Sequence, residues 1–438
     1  MKKLSSRITK YIQWFSKYSL IIFFCASIIS LGIVLVAYSF SNSLNPTTVK
    51  DNSITTENLN VLNNLTTRNL SVTGEVSGIS TSEFLGSYSA IVYKKGNKII
   101  AKKRDGSLIT EGIAGRDDAR VINSAISSLT SGRTWKEVVA LFGRFTLENT
   151  ITVPSYTVLD LTGAKLIAKD LLNANLITND FSVATQYVDI IGGIIDGNKD
   201  NQTAGSVISF ANVSYSRIIN TSILNSYGFG IYWWSGGSNY ENFGNLILGV
   251  KVKNVGVDGI SIGKARDLRI IGCEVSEIGD DYGIVIGDSR DVVISNCVVH
   301  DCNSASGAGI GIGSENANGK LIIDNCDSYN NKEGFQIATS DPAKKLDLVR
   351  VSGIARDNTN RGVNLFYIDN IIVDVIAINN GIHGLKAENV NQLTIRGQYL
   401  SNTNYGVALI TCTYVDIDAL FKDNGSGSVY KSSVTYIE

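Results

Sequence analysis

Three consecutive stretches decide the fold: DLRIIGCEVSEIGDDYGIVIG (267–287), DVVISNCVVHDCNSASGAGIGIG (291–313) and KLIIDNCDSYNNKEGFQIA (320–338). Each reads as strand, turn, strand, and in each a glycine opens an alternating apolar strand. Between Tyr227 and Leu409 such glycines recur with gaps of 29, 24, 26, 25, 28, 22 and 22 residues. A period of this length, built from short strands and turns, predicts a solenoid in which each repeat forms one coil. The repeat glycines are Gly230, Gly259, Gly283, Gly309, Gly334, Gly362, Gly384 and Gly406.

Two further registers support stacked coils. Cys273, Cys297 and Cys326 occupy matching places after an apolar strand. We interpret them as small apolar residues stacked in a narrow core, although a disulfide set or a metal site would use the same register. An asparagine also precedes most repeat glycines by four or five residues, where its tolerance of left-handed backbone suits stacked turns. These asparagines are Asn225, Asn254, Asn330, Asn358, Asn380 and Asn402.

Together these patterns predict an all-β chain that forms a right-handed parallel β-helix of roughly ten coils over residues 135–438. A single solenoid accounts for most of the 438 residues, which include 42 glycines and only three prolines. The net charge is −1. Because neither sign of charge dominates, composition gives no argument for a nucleic-acid partner.

The N-terminal segment predicts a membrane anchor. Residues 1–18 carry five basic residues and no acid, and residues 19–40 form an apolar run long enough to span a bilayer. The run ends in a poor cleavage site, which favours an uncleaved transmembrane signal anchor over a secretory signal peptide. The basic flank would stay in the cytoplasm, and the remaining chain would face outward on a cell or a virion. Six sequons fit an external glycoprotein, and they begin at Asn64, Asn69, Asn201, Asn212, Asn220 and Asn424.

Two segments separate this anchor from the solenoid. Residues 41–86 are rich in Asn, Thr and Ser and predict either a fibrous stalk, which would favour a homotrimer or filament, or a flexible linker. Residues 87–134 predict two hairpins and then a capping helix near 117–130, with Asp117 as its N-cap. Such a helix would cover the open end of the solenoid. Its apolar face comprises Val121, Ile122, Ala125, Ile126 and Leu129.

Residues 88–438 resemble the pectate-lyase superfamily. The resemblance rests on the hairpins, the Asp-Asp start of the helix and the FGRFTL strand (142–147) that leads into the first coils. It implies a β-helix, but that fold hosts lyases, glycosidases, tailspikes and inert surface proteins, so it implies no single activity. The segment before it resembles the stalks of surface or virion fibres.

Residues 193–340 are similar to the polygalacturonase family of glycosidases. The similarity implies Asp258, Asp280 and Asp281 as catalytic acids. Glycoside hydrolysis needs an acid for the leaving oxygen and a carboxylate for water, about 6.5–9.5 Å apart in the inverting case. Acids on coils stacked at about 4.8 Å could meet that distance. The motifs that carry the similarity are GIIDGN (193–198), VDGI (257–260), GDD (279–281), GAGIGIGS (307–314) and GFQIAT (334–339).

The sequence also departs from that family. Ala308 stands at its histidine position, and Gln336 and Ala338 stand where an arginine and a lysine would hold an acidic sugar. One extra residue before the strand puts Tyr282, rather than an acid, in register with Asp258. Acids that merely shape solvated turns are therefore the alternative to a catalytic set. The sequence predicts no cofactor; calcium is a candidate ligand for the oxygen cluster, but nothing fixes a ligand set.

The residues immediately before the repeat glycines should stack along one edge of the β-helix. Aromatic, acidic and basic groups alternate along this row, which suits an oligosaccharide because rings stack on sugars and charged groups bond hydroxyls. An ordinary mixed solvent face is the alternative. The predicted glycan-binding residues are Phe229, Trp233, Tyr282, Glu333, Arg361, His383 and Tyr405.

The sequence thus favours a membrane-anchored, externally displayed β-helix for adhesion or glycan recognition, with a polysaccharide or surface glycan as its partner. The competing class is an enzyme, a glycoside hydrolase or polysaccharide lyase that acts through Asp258, Asp280 and Asp281.

Overall fold

The computed structural model describes residues 88–235, 242–302, 307–313, 319–339, 346 and 348–435, and by backbone alone residues 48–50 and 53–55. The chain divides into two compact units, residues 1–77 and 78–438. In the first, β1 (Thr48–Lys50) pairs antiparallel with β2 (Ser53–Thr55). The predicted basic flank and membrane span, most of the predicted stalk, and the sequons at Asn64 and Asn69 lie outside the described residues. No helix within the described ranges has the length and apolarity needed to cross a membrane.

Three antiparallel strands and one helix precede the coils of the second unit. β3 (Ala90–Lys95) pairs with β4 (Lys98–Lys103), which pairs with β5 (Leu108–Ile113). The helix α1 (Asp118–Ser127) packs its apolar face against these strands, and the five residues predicted for that face are at most 8% exposed. β3 also pairs in parallel with β6 (Glu137–Leu147), so this segment is continuous with the first coil.

The start of α1 is capped from a distance. Asp117 stands at the predicted N-cap position but makes no side-chain capping bond, and its Oδ2 accepts the backbone N–H of Ile113 at 2.7 Å. The N–H groups of Ala119 and Arg120 donate instead to the Glu148 carboxylate, each at 3.0 Å. The predicted capping role of Asp117 is therefore wrong, because a carboxylate from the next strand connection takes that place.

Among the described residues, thirty strands, counting β6, form the coils, and their pairings are all parallel. This confirms the predicted all-β solenoid, with about 11 turns rather than ten. A short 3₁₀ helix, Lys199–Asn201, interrupts the third coil, between β12 and β13. After β6 the strands are β7 (Ile151–Thr152), β8 (Thr157–Ala168), β9 (Ile177–Thr178), β10 (Thr185–Gln186), β11 (Asp189–Ile191), β12 (Ile194–Asp196), β13 (Ile208–Ala211), β14 (Val213–Ser214), β15 (Arg217–Ile219), β16 (Ser222–Ser226), β17 (Ile231–Trp234), β18 (Asn242–Phe243), β19 (Leu246–Leu248), β20 (Lys251–Val255), β21 (Ile260–Gly263), β22 (Ala265–Ile271), β23 (Glu274–Ile278), β24 (Ile284–Gly287), β25 (Arg290–Ser295), β26 (Val298–His300), β27 (Ala308–Gly313), β28 (Leu321–Tyr329), β29 (Glu333–Ala338), β30 (Val349–Arg356), β31 (Arg361–Ile378), β32 (Leu385–Leu400), β33 (Tyr405–Ile410), β34 (Val415–Lys422) and β35 (Gly427–Ser432).

The repeat glycines mark a close approach between coils. Gly259, Gly283 and Gly309 stack on successive coils, because β21, β24 and β27 pair in register. A Cβ atom on Gly259 would lie 2.5 Å from the carbonyl oxygen of Gly283 and 2.4 Å from Cγ1 of Val275. Any side chain here would push neighbouring coils apart, so glycine is required by space. We call the sheet formed by the strands that carry or follow the repeat glycines the glycine sheet.

The predicted asparagine register is in fact two neighbouring rows. Asn225, Asn254 and Asn330 occupy left-handed turns, with φ of 51°, 58° and 52°. Asn358 and the asparagines after it in the prediction belong to a second row, which is buried and lies one residue further along each coil. The prediction treated the two rows as one because it allowed either four or five residues between the asparagine and the repeat glycine. That difference of one residue separates a turn position from a core position.

The buried row is a continuous hydrogen-bonded ladder. Asn358 Nδ2 donates to Asn380 Oδ1, Asn380 Nδ2 to Asn402 Oδ1, and Asn402 Nδ2 to Asn424 Oδ1, each at 2.9 Å. At the other end of the ladder, the backbone N–H of Asn331 donates to Asn358 Oδ1 at 3.1 Å. The ladder thus links five successive coils through side-chain amides, four of them buried and the last, on Asn424, half-buried.

The three cysteines form a second internal column. Cys273, Cys297 and Cys326 stack because β23, β26 and β28 pair in register beside them. Each is at most 1% exposed and carries a free thiol. They fill the narrow core as small apolar side chains, and the alternative disulfide set is absent from these three positions.

Candidate functional site

The row predicted before the repeat glycines is a single column in the structure. The N–H of Gly230 donates to the carbonyl oxygen of Asp258 at 3.1 Å, and each later repeat glycine bonds or pairs in the same register. The stacked residues therefore succeed one another at the strand spacing of about 4.8 Å. The column reads Phe229, Asp258, Tyr282, Ala308, Glu333, Arg361, His383 and Tyr405.

Two further columns face outward from the glycine sheet beside this row, because successive residues of a strand alternate between its two faces. We call the three columns together the glycine face. The second column holds Tyr232, Ser261, Val285, Gly311, Gln336, Asn364, Lys386 and Ala408, and the third holds Trp234, Gly263, Gly287, Gly313, Ala338, Phe366, Glu388 and Ile410.

Trp233 does not reach this face. Its side chain is 0% exposed, its Nε1–H donates to the carbonyl oxygen of Val213 at 3.1 Å, and its ring packs edge-on against Phe210. The prediction that Trp233 contacts a glycan is therefore wrong. Ile231 begins β17 facing the core, so the alternation of the strand puts Trp233 inside and sends Tyr232 and Trp234 outward.

Aromatic rings cluster at the N-terminal end of the glycine face. Phe229 stacks on Tyr232 with ring centroids 4.4 Å apart, and Tyr232 stacks on Trp234 at 6.1 Å. Phe181, which is 41% exposed, meets Trp234 edge-on at 6.1 Å. Sequence reasoning missed Phe181 because it follows β9, two coils earlier, and only the stacking brings it to Trp234. We call these four residues the aromatic cluster.

Tyr282 lies flat against the glycine face. A Cβ atom on Gly311, in the next coil, would come within 2.5 Å of the tyrosine ring, so the ring occupies the space that this glycine leaves. The phenol oxygen accepts a hydrogen bond from Gln336 Nε2 at 2.9 Å, two coils away. Burial first, and then Asp281, Asp258 and other acids, raise the pKa of Tyr282 to about 12, which keeps the phenol neutral. The ring is thereby fixed in one orientation.

The three candidate catalytic acids occupy different environments. Asp258 is 6% exposed, and its Oδ1 accepts the backbone N–H of Tyr282 at 3.0 Å. Burial raises the pKa of Asp258, and nearby Asp280 raises it further, against the lowering effect of hydrogen bonds from Tyr282 and Ser261. Asp280 is exposed and Asp281 is half-buried, in the turn between β23 and β24. The structure therefore offers one buried acid, Asp258, whose pKa is raised, beside an exposed acid, Asp280, and a half-buried one, Asp281.

Ion pairs dominate the C-terminal half of the glycine face. Arg361 Nη1 lies 2.7 Å from Glu333 Oε1, and Glu333 is 4% exposed. Burial raises the pKa of Glu333, and the nearby Arg361 offsets part of this increase. Lys386 Nζ lies 2.7 Å from Glu388 Oε2.

His383 sits between these pairs as a neutral imidazole. Burial first, then Arg361 and Lys386, lower the pKa of His383 to about 4. Its Nδ1 accepts the backbone N–H of Tyr405 at 3.3 Å, and the two rings stack with centroids 5.9 Å apart. At neutral pH His383 therefore contributes a ring and a hydrogen-bonding nitrogen, but no positive charge.

The remaining predicted sites divide by exposure. Asn201 and Asn220 are exposed and Asn212 is half-buried, so these sequons stay predictions. Asn424 is the last, half-buried rung of the asparagine ladder, and its Nδ2 donates to the carbonyl oxygen of Tyr399 at 2.8 Å. A glycan on Asn424 would take Nδ2 and so cost the folded protein these hydrogen bonds; this sequon too stays a prediction. Within the described ranges no three His, Cys, Asp or Glu side chains are arranged to hold a metal ion, and calcium at the oxygen cluster stays a prediction.

Comparison with known proteins identifies the fold. A family model described as a right-handed beta helix region matches residues 176–348 and 241–435, together more than half of the chain. A comparison with curated protein sequences finds no match. The A-module of mannuronan C-5 epimerase AlgE4 from Azotobacter vinelandii is similar in structure, with 15% identity, a TM-score of 0.59, and coverage of 74% of this chain and 96% of that one.

Two further solved structures resemble the chain to a similar degree. The A-module of mannuronan C-5 epimerase AlgE6 from the same organism has 16% identity and a TM-score of 0.57, and covers 73% of this chain and 96% of its own. A mutant periplasmic alginate epimerase has 14% identity and a TM-score of 0.56, and the match covers 67% of this chain and 77% of the epimerase chain. At these identities the likeness concerns the fold alone. The family match and the stacked coils agree, and the chain belongs to the right-handed β-helix family.

Proposed function

We propose that this protein binds a polysaccharide along its glycine face and is displayed outside the cell or on a virion by its N-terminal anchor. The observation that carries the proposal is the fixed ring of Tyr282. One side of that ring is occupied by the backbone at Gly311, and its hydroxyl is held by Gln336. A ring held in this way offers a sugar its other side as a flat platform and loses little conformational entropy on binding.

The aromatic cluster supplies a second platform on the same face. Tyr232 and Tyr282 belong to coils two steps apart, about 10 Å along the axis at the usual strand spacing. Small residues, among them Gly263 and Gly287, line the third column next to them. A polysaccharide chain that follows the axis can therefore meet rings at both places without obstruction from long side chains.

Two other considerations support binding and display. The proteins of similar fold reported above are named for mannuronan and alginate, which are polysaccharides, so a β-helix of this size can hold such a chain. The apolar run at 19–40 with its basic flank would place the β-helix outside the membrane, where a rigid rod could serve adhesion.

A second candidate function is hydrolysis or elimination on the same face. The observation that favours it is the raised pKa of Asp258, since a general acid must hold its proton near neutral pH. Reducing-end and unsaturated-product assays on polysaccharide mixtures, with Asp258→Asn and Asp281→Asn as controls, test this candidate. Turnover that either substitution abolishes would replace the binding proposal with an enzymatic one.

Binding is tested on a glycan array and by affinity electrophoresis with the wild type, Tyr282→Ala and Tyr414→Ala. Tyr414 is 66% exposed and lies outside the glycine face, so it serves as the matched control. Loss of one stacked ring should weaken binding about threefold to tenfold for Tyr282→Ala, and Tyr414→Ala should bind as the wild type does. The proposal fails if no polysaccharide binds, or if the two variants weaken binding equally.

A further inference from the structure

Resting on the proposed function, we infer that the glycine face selects uncharged polysaccharides and rejects acidic ones such as uronate chains. The inference depends on which charges the face presents and on how they are paired. Among the described residues, the three columns contain two cations, Arg361 and Lys386.

Both cations already hold a carboxylate from a neighbouring position. Arg361 binds Glu333 and Lys386 binds Glu388, each with a nitrogen–oxygen distance of 2.7 Å. Glu333 is 4% exposed and cannot turn away into solvent. A uronate carboxylate would therefore have to displace a protein carboxylate from its partner, which leaves one acid of the pair without compensation.

In the part of the chain that the structure describes, the three columns of the N-terminal half of the face hold no cation. The coils of Asp258 and Tyr282 place only uncharged residues beside Asp258 in the three columns, and the turn just before Tyr282 adds Asp280 and Asp281. An acidic chain laid over the Tyr282 platform therefore finds no cation in these columns to compensate its carboxylates, which would lose water without gaining a partner. His383 brings no positive charge at neutral pH that could act as such a partner.

Neutral sugars meet none of these costs. Their hydroxyls can form hydrogen bonds with the carboxylates, with the side-chain amides of Gln336 and Asn364, and with the imidazole of His383. Their ring faces can stack on the aromatic side chains. Because such binding involves no net charge pairing with the ligand, its affinity should change little with salt.

The experiment measures affinity for neutral chains (β-glucan, mannan, xylan) and for acidic chains (alginate, polygalacturonate) at two salt concentrations. The wild type is compared with Glu388→Gln, which frees Lys386, and with Glu333→Gln, which frees Arg361. We expect the wild type to bind a neutral chain and to bind the acidic chains at least about tenfold more weakly. Glu388→Gln should gain about threefold to tenfold in affinity for an acidic chain, because an unpaired lysine then faces the ligand.

The outcomes separate the inference from the proposed function. If the wild type prefers alginate or polygalacturonate, the inference is overturned while polysaccharide binding stands. If no chain of either kind binds, the proposed function fails and the inference with it. If Glu388→Gln, which changes a partly exposed residue and should fold, gains no affinity for acidic chains, carboxylate pairing is not what excludes them. Glu333→Gln repeats the test at the buried pair.

Discussion

Replacement of Asn380 by alanine should destabilise the β-helix far more than the same change one residue earlier. The Asn380 side chain accepts a bond from Asn358 Nδ2 at 2.9 Å, and it donates to Asn402 Oδ1 at 2.9 Å and to the Ala355 carbonyl at 3.1 Å. Asn380 is 0% exposed, so water cannot replace these bonds. Its Oδ1 also accepts the backbone N–H of Asn358 at 3.3 Å. Four buried hydrogen bonds at about 1–1.5 kcal/mol each give a loss of roughly 4–6 kcal/mol.

The adjacent Asn379→Ala is the matched control. Asn379 is exposed, and its bond to Asp357 is long at 3.4 Å. Asn379→Ala should lower the free energy of unfolding by about 1 kcal/mol, because alanine is disfavoured at the left-handed φ of 54°. Urea unfolding measures the stability of both variants, and amide hydrogen exchange measures the protection of β30–β32. The loss of protection should be confined to the coils next to the substitution. Equal losses for the two variants, or a loss at Asn380 below about 1.5 kcal/mol, would refute the ladder as a source of stability.

Three further predictions concern the site, its titration and the anchor. Tyr282→Ala should weaken polysaccharide binding more than Asp280→Asn does in affinity electrophoresis, because the first removes a platform and the second only a solvated charge. As pH falls from 6.5 towards 4, His383 gains a proton in the unfolded chain but not in the folded chain, so the free energy of unfolding falls. Over this range the urea midpoint of His383→Gln should therefore fall less than that of the wild type. Equal falls would contradict the lowered pKa of His383. Protease treatment of intact cells or virions should remove the β-helix, and protection of both the β-helix and a cytoplasmic marker would show that the orientation is wrong.

Much of the fold could be predicted because its strongest determinant is local and periodic. The repeat glycines are required wherever one coil crosses closely over the next, so their spacing reports the coil length directly. The capping of α1 by Glu148 could not be predicted, because the two segments meet only after β3 and β6 pair. The separation of the asparagines into turn and ladder rows also escaped prediction, since local spacing does not say which of two adjacent residues turns inward.

The site was predictable in outline and not in detail. The column from Phe229 to Tyr405 follows from the glycine register alone. The inward position of Trp233 follows from strand alternation once Ile231 is known to face the core. The contact of Phe181 with Trp234, and the position of the Tyr282 ring over Gly311, depend on side-chain packing between coils, which no sequence pattern encodes.

The asparagine ladder also bears on how the rod would respond to mechanical force. Hydrogen bonds between coils run along the axis, so a pull along that axis loads the bonds of one coil boundary at a time rather than a whole sheet in shear. The last coils repeat every 22 residues at Gly362, Gly384 and Gly406. Release of one such coil lengthens the chain by about 70–75 Å at full extension. A tether of this kind would yield in regular steps and lower the tension on whatever it holds, instead of breaking at a single threshold.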